Sequence, residues 1–390
     1  MNTERARLYW NEHPQRWGEL PDADGLGAFH ARLPGYAPTP LRAAPSAARQ
    51  LGVRQVWVKD ESDRLGLPAY KILGASWATY RALEARFGPF QPWCTLEELS
   101  RQLRAHLPLE LVCATDGNHG RAVARMARWL GLNARILVPA DMASARVDAI
   151  AQEGATVQVV RGTYDDAVMQ AARLVGERSL VISDTAWEGY EQIPRCVVEG
   201  YATIFREIDG QLAVLGEAPP EVVAAQMGVG ALAASVVRHY RRAGASSRVV
   251  GVEPTRAPCV LESVLAGGLV SVPGPHDSIM AGLNCGRPSP VAWPWVSQGI
   301  DAFLAVPDER AREAMRLLAR DGIVSGESGA AGLAGFIELF TGAGREERRE
   351  RLGLTADSAL LVISTEGATD PVGYARVVGQ VATRGTQGLS

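Results

Sequence analysis

The chain has 390 residues, of which 47% are hydrophobic and 21% are charged, and its formal net charge is −3. A chain of this length and apolar content can bury a large core without disulfide or metal support, which argues against an unstructured or coiled-coil protein. Its charges nearly balance and provide no basic face for a phosphodiester backbone, so nucleic acid is not an expected partner.

Short apolar runs alternate with segments of helical periodicity along the chain. The runs predict strands at 56–58, 111–114, 134–138, 156–160, 180–182, 221–225, 249–252, 302–306 and 359–363. The periodic segments predict helices at 72–86, 120–130, 145–153, 165–177, 231–242, 309–320 and 330–340. This alternation predicts an α/β fold with mostly parallel sheets covered on both faces. Such sheets bind ligands at the carboxyl ends of their strands.

A regular strand–helix rhythm from about residue 111 to 190 is flanked by prolines on both sides. It predicts a small domain, residues 76–194, inserted into a larger one made of residues 1–75 and 195–390. The Gly- and Pro-rich stretch 270–294 is predicted to be an ordered loop. We find no internal repeat.

Lysine is rare in this chain, occurring only at Lys59 and Lys71, so arginine makes up nearly all of the 40 basic residues. Where only positive charge matters arginine suffices, so the two lysines are candidates for a chemical role. Lys71 lies where a loop meets a predicted helix, and the amide dipoles there are expected to lower its pKa, as a Schiff-base lysine requires. Lys59 is next to Asp60 and Glu61, which favours an ion pair.

A polar loop follows the predicted strand at 111–114 and precedes a helix. Its sequence is Thr115-Asp116-Gly117-Asn118-His119-Gly120. Glycines allow close approach of a ligand to the backbone, and free amides at a helix start can receive a carboxylate. A capped turn is the alternative interpretation of the same residues.

A second loop, Gly228-Val229-Gly230, also joins a strand to a helix. Its successive backbone N–H groups can hold a phosphate. With Ala233 it also fits the dinucleotide-binding pattern, and Glu253 lies where a ribose-binding acid is expected. A nicotinamide-dependent oxidoreductase therefore stays open at this point, as does a purely structural role for the glycines.

Three more polar segments lie near strand or helix ends. Ser364 and Thr365 end the last apolar run and place hydroxyl groups at the predicted ligand crevice. Asp184 begins the segment that ends the inserted unit, so it can face the same crevice. Residues 325–329 are predicted to form a helix start, with the acid Glu327 near the positive end of the helix dipole.

The cysteines, the N-terminus and the hydropathy indicate the compartment. Five scattered cysteines lack the paired spacing of a zinc site and are expected to be buried free thiols. The first ten residues do not resemble a secretory signal, and no apolar run is long enough for a membrane span. A cytoplasmic protein without a membrane partner is expected.

Together these segments resemble the pyridoxal-phosphate enzymes of fold type II, the tryptophan-synthase β-like group, over nearly the whole chain. Within that group they are similar to the diaminopropionate ammonia-lyases. The segments that carry the resemblance are Lys59-Asp60-Glu61-Ser62, Thr115 to Arg121, Asp184 to Tyr190, Ser325 to Ala330 and Ile363 to Gly367. Ala75 and Ala368 depart from the family pattern.

The resemblance implies two open, twisted, mostly parallel sheets and a homodimer that binds pyridoxal 5'-phosphate. It implies that Lys71 holds the cofactor as an imine and that Asn118 contacts its phenolic oxygen. It also implies that residues 228–230 hold the phosphate and that Ser364 or Thr365 approaches the pyridine nitrogen. Catalytic roles are implied for Lys71, Asp116 and Asp184. The implied substrate-binding residues are Thr115, Asp116, Gly117 and His119.

The implied reaction is α,β-elimination of 2,3-diaminopropionate to pyruvate and ammonia. This chemistry needs an electron sink, a base at Cα, a carboxylate anchor and an acid group near the leaving nitrogen. A dehydratase or a β-replacement enzyme acting on another β-substituted amino acid is the first alternative, since one scaffold supports both outcomes. The nicotinamide oxidoreductase is the second.

Overall fold

The computed structural model describes residues 5–21, 23–140 and 142–379. Its strands are β1 Arg7–Trp10, β2 Leu41–Ala43, β3 Gln55–Asp60, β4 Glu110–Ala114, β5 Asn133–Pro139, β6 Thr156–Val160, β7 Ser179–Val181, β8 Val222–Gln226, β9 Arg248–Pro254, β10 Ala302–Val306 and β11 Ala359–Ser364. They form two sheets, one of seven strands and one of four.

The larger sheet has the order β1-β10-β9-β8-β11-β3-β2, with antiparallel strands at both edges and parallel strands between them. The smaller sheet has the order β6-β5-β4-β7 and is parallel throughout. Its strands lie within the residues predicted as the small domain. The domain limits themselves stay a prediction.

Helices cover both faces of the larger sheet and separate the parallel strands. They are α1 Leu26–Ala31, α2 Pro45–Leu51, α3 Lys71–Phe87, α4 Leu96–Leu103, α5 Asn118–Leu130, α6 Ser144–Ala151, α7 Tyr164–Ala172, α8 Gln192–Gly200, α9 Ala202–Leu215, α10 Ala231–Tyr240, α11 Cys259–Leu265, α12 Trp293–Gly299, α13 Asp308–Arg320, α14 Ala331–Phe340, α15 Arg345–Arg351 and α16 Pro371–Val378. Short 3₁₀ turns occur at Arg104–His106 and Ala281–Leu283.

Two large buried apolar clusters hold these layers together, and a small third one lies between the smaller sheet and α7. The first includes α3, α5, α8 and α10 and continues from the larger sheet into the smaller one. The second lies on the other face of the larger sheet, under α2, α13 and α14. Because the central strands are buried on both faces, their sequences are continuous apolar runs, which is typical of parallel sheets.

The predicted α/β class with two mostly parallel sheets is confirmed, and each of the nine predicted strands is present within two residues of its expected limits. Strands β1 and β2 were not predicted. Nor were α1, α2, α4, α8, α9, α11, α12, α15 and α16. The helix predicted at 165–177 is shorter and ends at Ala172.

Candidate active site

The carboxyl ends of β3, β4, β7, β8 and β11 face one pocket between the two sheets. It holds about 610 Å³ of space between atoms, including its open mouth. The polar side chains that line it belong to Tyr70, Lys71, Asp116, Asn118, Tyr164, Asp184, Gln226, Ser328, Thr365 and Glu366. The structure therefore brings several of the residues singled out in the sequence to one place.

Lys71 is the first residue of α3, and its ammonium group lies in the pocket, 2.7 Å from Asp184 Oδ2. Burial acts to lower the pKa of Lys71, but attraction to Asp184, with smaller contributions from Tyr201, Tyr70 and Asp116, raises it well above its usual value. The prediction that the helix start lowers this pKa is wrong for the structure as it stands. A carboxylate from a distant loop outweighs the local dipole.

Asp184 is buried in the loop after β7 and receives two hydrogen bonds. Lys71 donates to Oδ2, and the Tyr164 hydroxyl donates to Oδ1 at 3.1 Å. Burial alone would raise the pKa of Asp184, but Lys71, His119 and these hydrogen bonds hold it below its usual range. Asp184 is therefore a stable anion. Tyr164, at the start of α7, was not singled out in the sequence because nothing local marks a tyrosine there.

Asp116, in the loop after β4, also lines the pocket, but its environment differs from that of Asp184. Burial and the charge of Asp184 raise the pKa of Asp116 to about 6, although Lys71 and Arg146 act to lower it. One carboxyl group of the pocket is thus held ionised, while the other can exchange its proton near neutral pH. Two carboxyl groups with separated pKa values suit an acid–base pair.

The rest of the Asp116 loop is held mainly by hydrogen bonds between its own residues. Thr115 Oγ1 accepts hydrogen bonds from the N–H groups of Gly117 and Gly120, both at 2.9 Å. Gly117 has φ +144°, a conformation that favours glycine. His119 is buried, and its Nε2 lies 3.0 Å from the carbonyl oxygen of Ile182. Neither Thr115 nor His119 lines the pocket, so their predicted contact with substrate stays a prediction.

The glycine loop, between β8 and α10, also lines the pocket. Gly230 has φ +93° and precedes the first turn of α10, which has no side-chain cap. A Cβ atom at Gly228 would lie 3.0 Å from Cys285 Sγ and 3.1 Å from the carbonyl oxygen of Gly282, so a larger residue does not fit there. Uncapped amides beside glycines suit a phosphate group.

The carboxyl group that would bind the ribose of a dinucleotide at this loop already has other hydrogen-bond partners. Glu253, at the end of β9, is fully buried, and its two carboxylate oxygens accept hydrogen bonds from the N–H groups of Val260 and Leu261, each at 2.8 Å. It ties the β9–α11 connection together and is not free to bind a ribose. The structure gives the nicotinamide alternative no support.

At the end of β11 the two hydroxyl groups point to different surroundings. Ser364 Oγ donates to Ser325 Oγ at 2.8 Å and is fully buried, whereas Thr365 lines the pocket. The Gln226 amide donates to Thr365 Oγ1 at 3.1 Å and to the carbonyl oxygen of Ile363 at 2.8 Å. Gln226 ends β8, two residues before Gly228, and the sequence pattern alone assigned no role to its side chain.

Asn118 Nδ2 donates to Glu366 Oε2 at 2.5 Å, and Glu366 Oε1 accepts from the backbone N–H of Ser328 at 3.1 Å. These contacts join the start of α5 to the loops after β11 and before α14. The amide of Asn118 is thereby held in the wall of the pocket that the glycine loop also lines.

A buried ion network holds the β3–α3 loop that leads to Lys71. Lys59 Nζ and Arg64 Nη1 each lie 2.7 Å from a carboxylate oxygen of Glu207, and Arg64 Nη2 lies 2.6 Å from Glu61 Oε1. The predicted ion pair of Lys59 is confirmed, although its partner is Glu207 on α9 and not a neighbour in sequence.

Cys113, Cys196, Cys259 and Cys285 are buried, while Cys94 is exposed; all five are free. The prediction of buried thiols is thus wrong for Cys94. Among the described residues there is no group of three or more His, Cys, Asp or Glu side chains placed to hold a metal ion. No helix in the described part of the chain is long and apolar enough to cross a membrane.

The comparisons with known proteins agree with one another. Residues 32–355 match the family of the pyridoxal-phosphate dependent enzyme. The chain is 39% identical over 360 residues to the diaminopropionate ammonia-lyase of Escherichia coli strain K12, which covers 90% of this chain and 89% of that protein. It is 36% identical over 369 residues to the enzyme of the same name from Salmonella typhimurium, with 90% of each covered.

Among solved structures, the fold is similar to diaminopropionate ammonia lyase from Escherichia coli in complex with an aminoacrylate-PLP azomethine reaction intermediate. The TM-score is 0.85 at 35% identity, and 96% of this chain and 97% of that chain are covered. Maize serine racemase, with a TM-score of 0.71 at 20% identity over 91% of this chain and 96% of that one, shares the fold.

Proposed function

The chain belongs to the pyridoxal-phosphate dependent enzymes and, within them, to the diaminopropionate ammonia-lyases, and on that premise we propose that it converts 2,3-diaminopropionate into pyruvate and two molecules of ammonia. The observation that carries the proposal is the position of the Lys71 amine in one pocket with two carboxyl groups, Asp184 and Asp116, whose pKa values are shifted in opposite directions.

The pocket fits pyridoxal phosphate. Lys71 is its only amine within the described residues, and the uncapped start of α10 with Gly228 and Gly230 suits the phosphate group. Asn118 would contact the phenolic oxygen of the cofactor. The Thr365 hydroxyl would contact the ring nitrogen, since the Ser364 hydroxyl is hydrogen-bonded to Ser325. When bound, the cofactor supplies an electron sink for negative charge at the substrate Cα.

The side chains of the pocket then move the protons. Lys71, freed from the cofactor, accepts the proton from Cα on its own face of the substrate. Asp116, whose pKa is about 6, takes the Cα proton of the other enantiomer. Its loop, with Thr115, Gly117 and His119, binds the substrate carboxylate. Asp184, which stays ionised, favours the protonated form of the β-nitrogen, and an amine leaves readily only in that form.

The closest alternative is elimination of water from a hydroxy amino acid on the same scaffold. The two carboxyl groups in the pocket favour the amine, because a carboxylate stabilises an ammonium group and gains nothing comparable from a neutral hydroxyl. A β-replacement reaction would use the same residues up to the loss of the leaving group, and it needs a second substrate.

The proposal is tested by pyruvate release from D- and L-2,3-diaminopropionate beside D- and L-serine, with purified protein supplied with pyridoxal phosphate. We expect turnover of diaminopropionate at a rate above that of serine. Higher rates with serine would instead assign the dehydratase reaction, and pyruvate from none of the four would refute the proposed activity.

We also propose a homodimer in the cytoplasm, with residues 76–194 as the small domain. Free thiols at all five cysteines support a reducing compartment. Val214 and Leu215, at the end of α9, are 88% and 54% exposed, and a second copy of the chain would cover such apolar side chains. Light scattering on the purified protein measures the number of chains.

A further inference from the structure

A second cavity adjoins the active-site pocket and shares Asp116 and Tyr164 with it. It holds about 1640 Å³ of space between atoms, including its opening to solvent. Its charged lining residues are three arginines and four acids: Arg146, Arg312, Arg376, Asp116, Asp277, Glu327 and Asp370. We call this cavity the vestibule, because a substrate that comes from its open side meets Asp116 next.

Glu327 is the unexplained acid of the vestibule. It was predicted to serve a helix start, but α14 begins only at Ala331, and Glu327 lines the cavity from the preceding turn. Its exposure is 7%, yet within the described residues its side chain makes no hydrogen bond or ion pair with another residue. A hydrogen bond from its own backbone N–H is the partner found for it, and one such bond compensates only part of the cost of burying a carboxylate, so a ligand with a positive charge would stabilise it further.

The surroundings of Glu327 add further negative charge. A Cβ atom at Gly373, in the first turn of α16, would lie 3.2 Å from Glu327 Oε1 and 2.6 Å from Asp370 Oδ2, so both carboxylates converge on that turn. Burial, with the charges of Glu366 and Asp370, raises the pKa of Glu327 to about 7, and the hydrogen bond from its own backbone and the charge of Arg146 only partly offset this. A bound cation would hold Glu327 in its ionised form.

Arg146 provides the opposite charge in the same cavity. Its Cδ atom lies 3.3 Å from the position of a Cβ atom on Gly117, so the side chain runs along the loop that contains Asp116. A small molecule with a carboxylate at one end and an ammonium group at the other therefore finds a partner of opposite charge for each end.

We propose that Glu327 is a specificity-determining residue that binds the side-chain ammonium group of a diamino acid on its way from the vestibule to Lys71. The inference rests on the proposed function and deepens it, because it names the substrate class: short amino acids with a cationic side chain. Serine has the same α-carboxylate and α-amine but no charge for Glu327.

The test is the isosteric variant Glu327→Gln, which removes the charge and keeps the shape. A charge-assisted hydrogen bond is lost, so kcat/KM for diaminopropionate falls by about ten- to a hundredfold, while kcat/KM for serine changes far less. Asp277→Asn is the matched control: Asp277 lines the same vestibule but is exposed and paired with Arg256 at 2.9 Å. Asp277→Asn is expected to leave the ratio of kcat/KM for diaminopropionate to kcat/KM for serine unchanged.

A binding measurement separates this inference from the proposed function. In the Lys71→Ala background, which cannot turn over, calorimetry compares the affinity for diaminopropionate with and without Glu327→Gln. Weaker binding of diaminopropionate, but not of serine, supports the inference. An unchanged ratio in both assays overturns it while pyruvate release by the wild type upholds the activity. If the wild type fails to act on diaminopropionate, the proposed function fails, and the binding comparison alone decides Glu327.

Discussion

The ammonium nitrogen of Lys71 lies 2.7 Å from Asp184 Oδ2, although Lys71 begins helix α3, Asp184 lies in the loop after β7 of the smaller sheet, and the two are 113 positions apart. Because Tyr164 donates to the other oxygen of the same carboxylate, Asp184 is fixed from both sides. This contact favours the protonated form of the Lys71 amine for as long as Asp184 is its partner. The protonation state of the reactive amine is therefore set by a loop of the smaller sheet.

The first prediction concerns the attachment of the cofactor. The protein with pyridoxal phosphate is expected to be yellow, and borohydride is expected to fix the cofactor on Lys71. Peptide mass analysis identifies the modified lysine, and Lys59 provides the internal control, since its amine is buried in an ion pair with Glu207. Lys71→Ala and Lys71→Arg should both lack activity, because neither side chain forms an imine. A reducible adduct in either variant would contradict the assignment.

The second prediction concerns the charge of Asp184. Because that carboxylate raises the pKa of Lys71, Asp184→Asn should lower it. Only the neutral amine attacks the aldehyde of the cofactor, so the pH at which attachment to cofactor-free protein reaches half its maximal rate should move to lower values. Absorbance during reconstitution measures the rate. Tyr164→Phe is the control, since it removes one hydrogen bond and no charge; a midpoint that stays in place for Asp184→Asn would count against the electrostatic explanation.

The third prediction concerns pH and the two enantiomers. Asp116 acts as a base only when deprotonated, and its pKa is about 6. Below that pH the carboxyl group is protonated, so the ratio of D- to L-turnover should fall as the pH decreases through 6 and stay level above 7. Taking the ratio cancels groups that affect both enantiomers alike. A ratio independent of pH from 5 to 8 would show that Asp116 is not the base for the D-isomer.

The fourth prediction concerns the packing behind Lys71. A Cβ atom at Gly74 would lie 2.6 Å from Tyr201 Cε1 and 2.8 Å from Val197 Cγ1, because α3 and α8 approach closely there. Gly74→Ala should therefore destabilise the fold by about 1–3 kcal/mol. The control is Ala75→Gly, which adds no atom and costs about 1 kcal/mol through helix propensity. Thermal unfolding measures both, and a larger loss for Ala75→Gly would contradict the packing argument.

The fold was largely predictable because the central strands are buried on both faces and so appear as uninterrupted apolar runs. Strands β1 and β2 escaped prediction because they have four and three residues and lie at the edges of the larger sheet. Runs this short do not show the two-residue period that identifies a strand in a sequence. The predicted helix at 165–177 was too long because Leu174 and Val175 continue the apolar pattern beyond Ala172, where α7 ends.

The members of the site were more predictable than their interactions. Lys71, Asp116 and Asp184 stand out in the sequence by rarity or by position after a strand, and all three line the pocket. The partner of Lys59 and the shifted pKa of Lys71 depend on contacts between distant segments, which local patterns do not contain. Glu327 illustrates the same limit, because its sequence context suggests a helix start and its position in space is a cavity wall.

The last prediction concerns stereochemistry. Lys71 reaches one face of the substrate Cα, so a second base is required if both enantiomers react. Asp116 and Asp184 are the candidates in the pocket, since its third carboxyl group, Glu366, accepts hydrogen bonds from Asn118 and the backbone of Ser328. Asp184 is engaged with Lys71 and Tyr164 and has a lowered pKa, which suits a stable anion beside the leaving ammonium. Asp116, with its pKa near 6, is the better base.

Asp116→Asn should therefore lose D-turnover by about a hundred- to ten-thousandfold, the usual effect of removing a catalytic base, and keep a measurable L-reaction. Asp184→Asn should lower the turnover of both enantiomers, because both release the β-nitrogen as the leaving group. A coupled pyruvate assay measures each rate, and the absorbance of the bound cofactor checks that each variant is loaded. Equal losses of D- and L-turnover in Asp116→Asn would contradict the mechanism with two bases and would indicate one acid shared by both reactions. A group that serves only one face of Cα cannot affect both enantiomers alike.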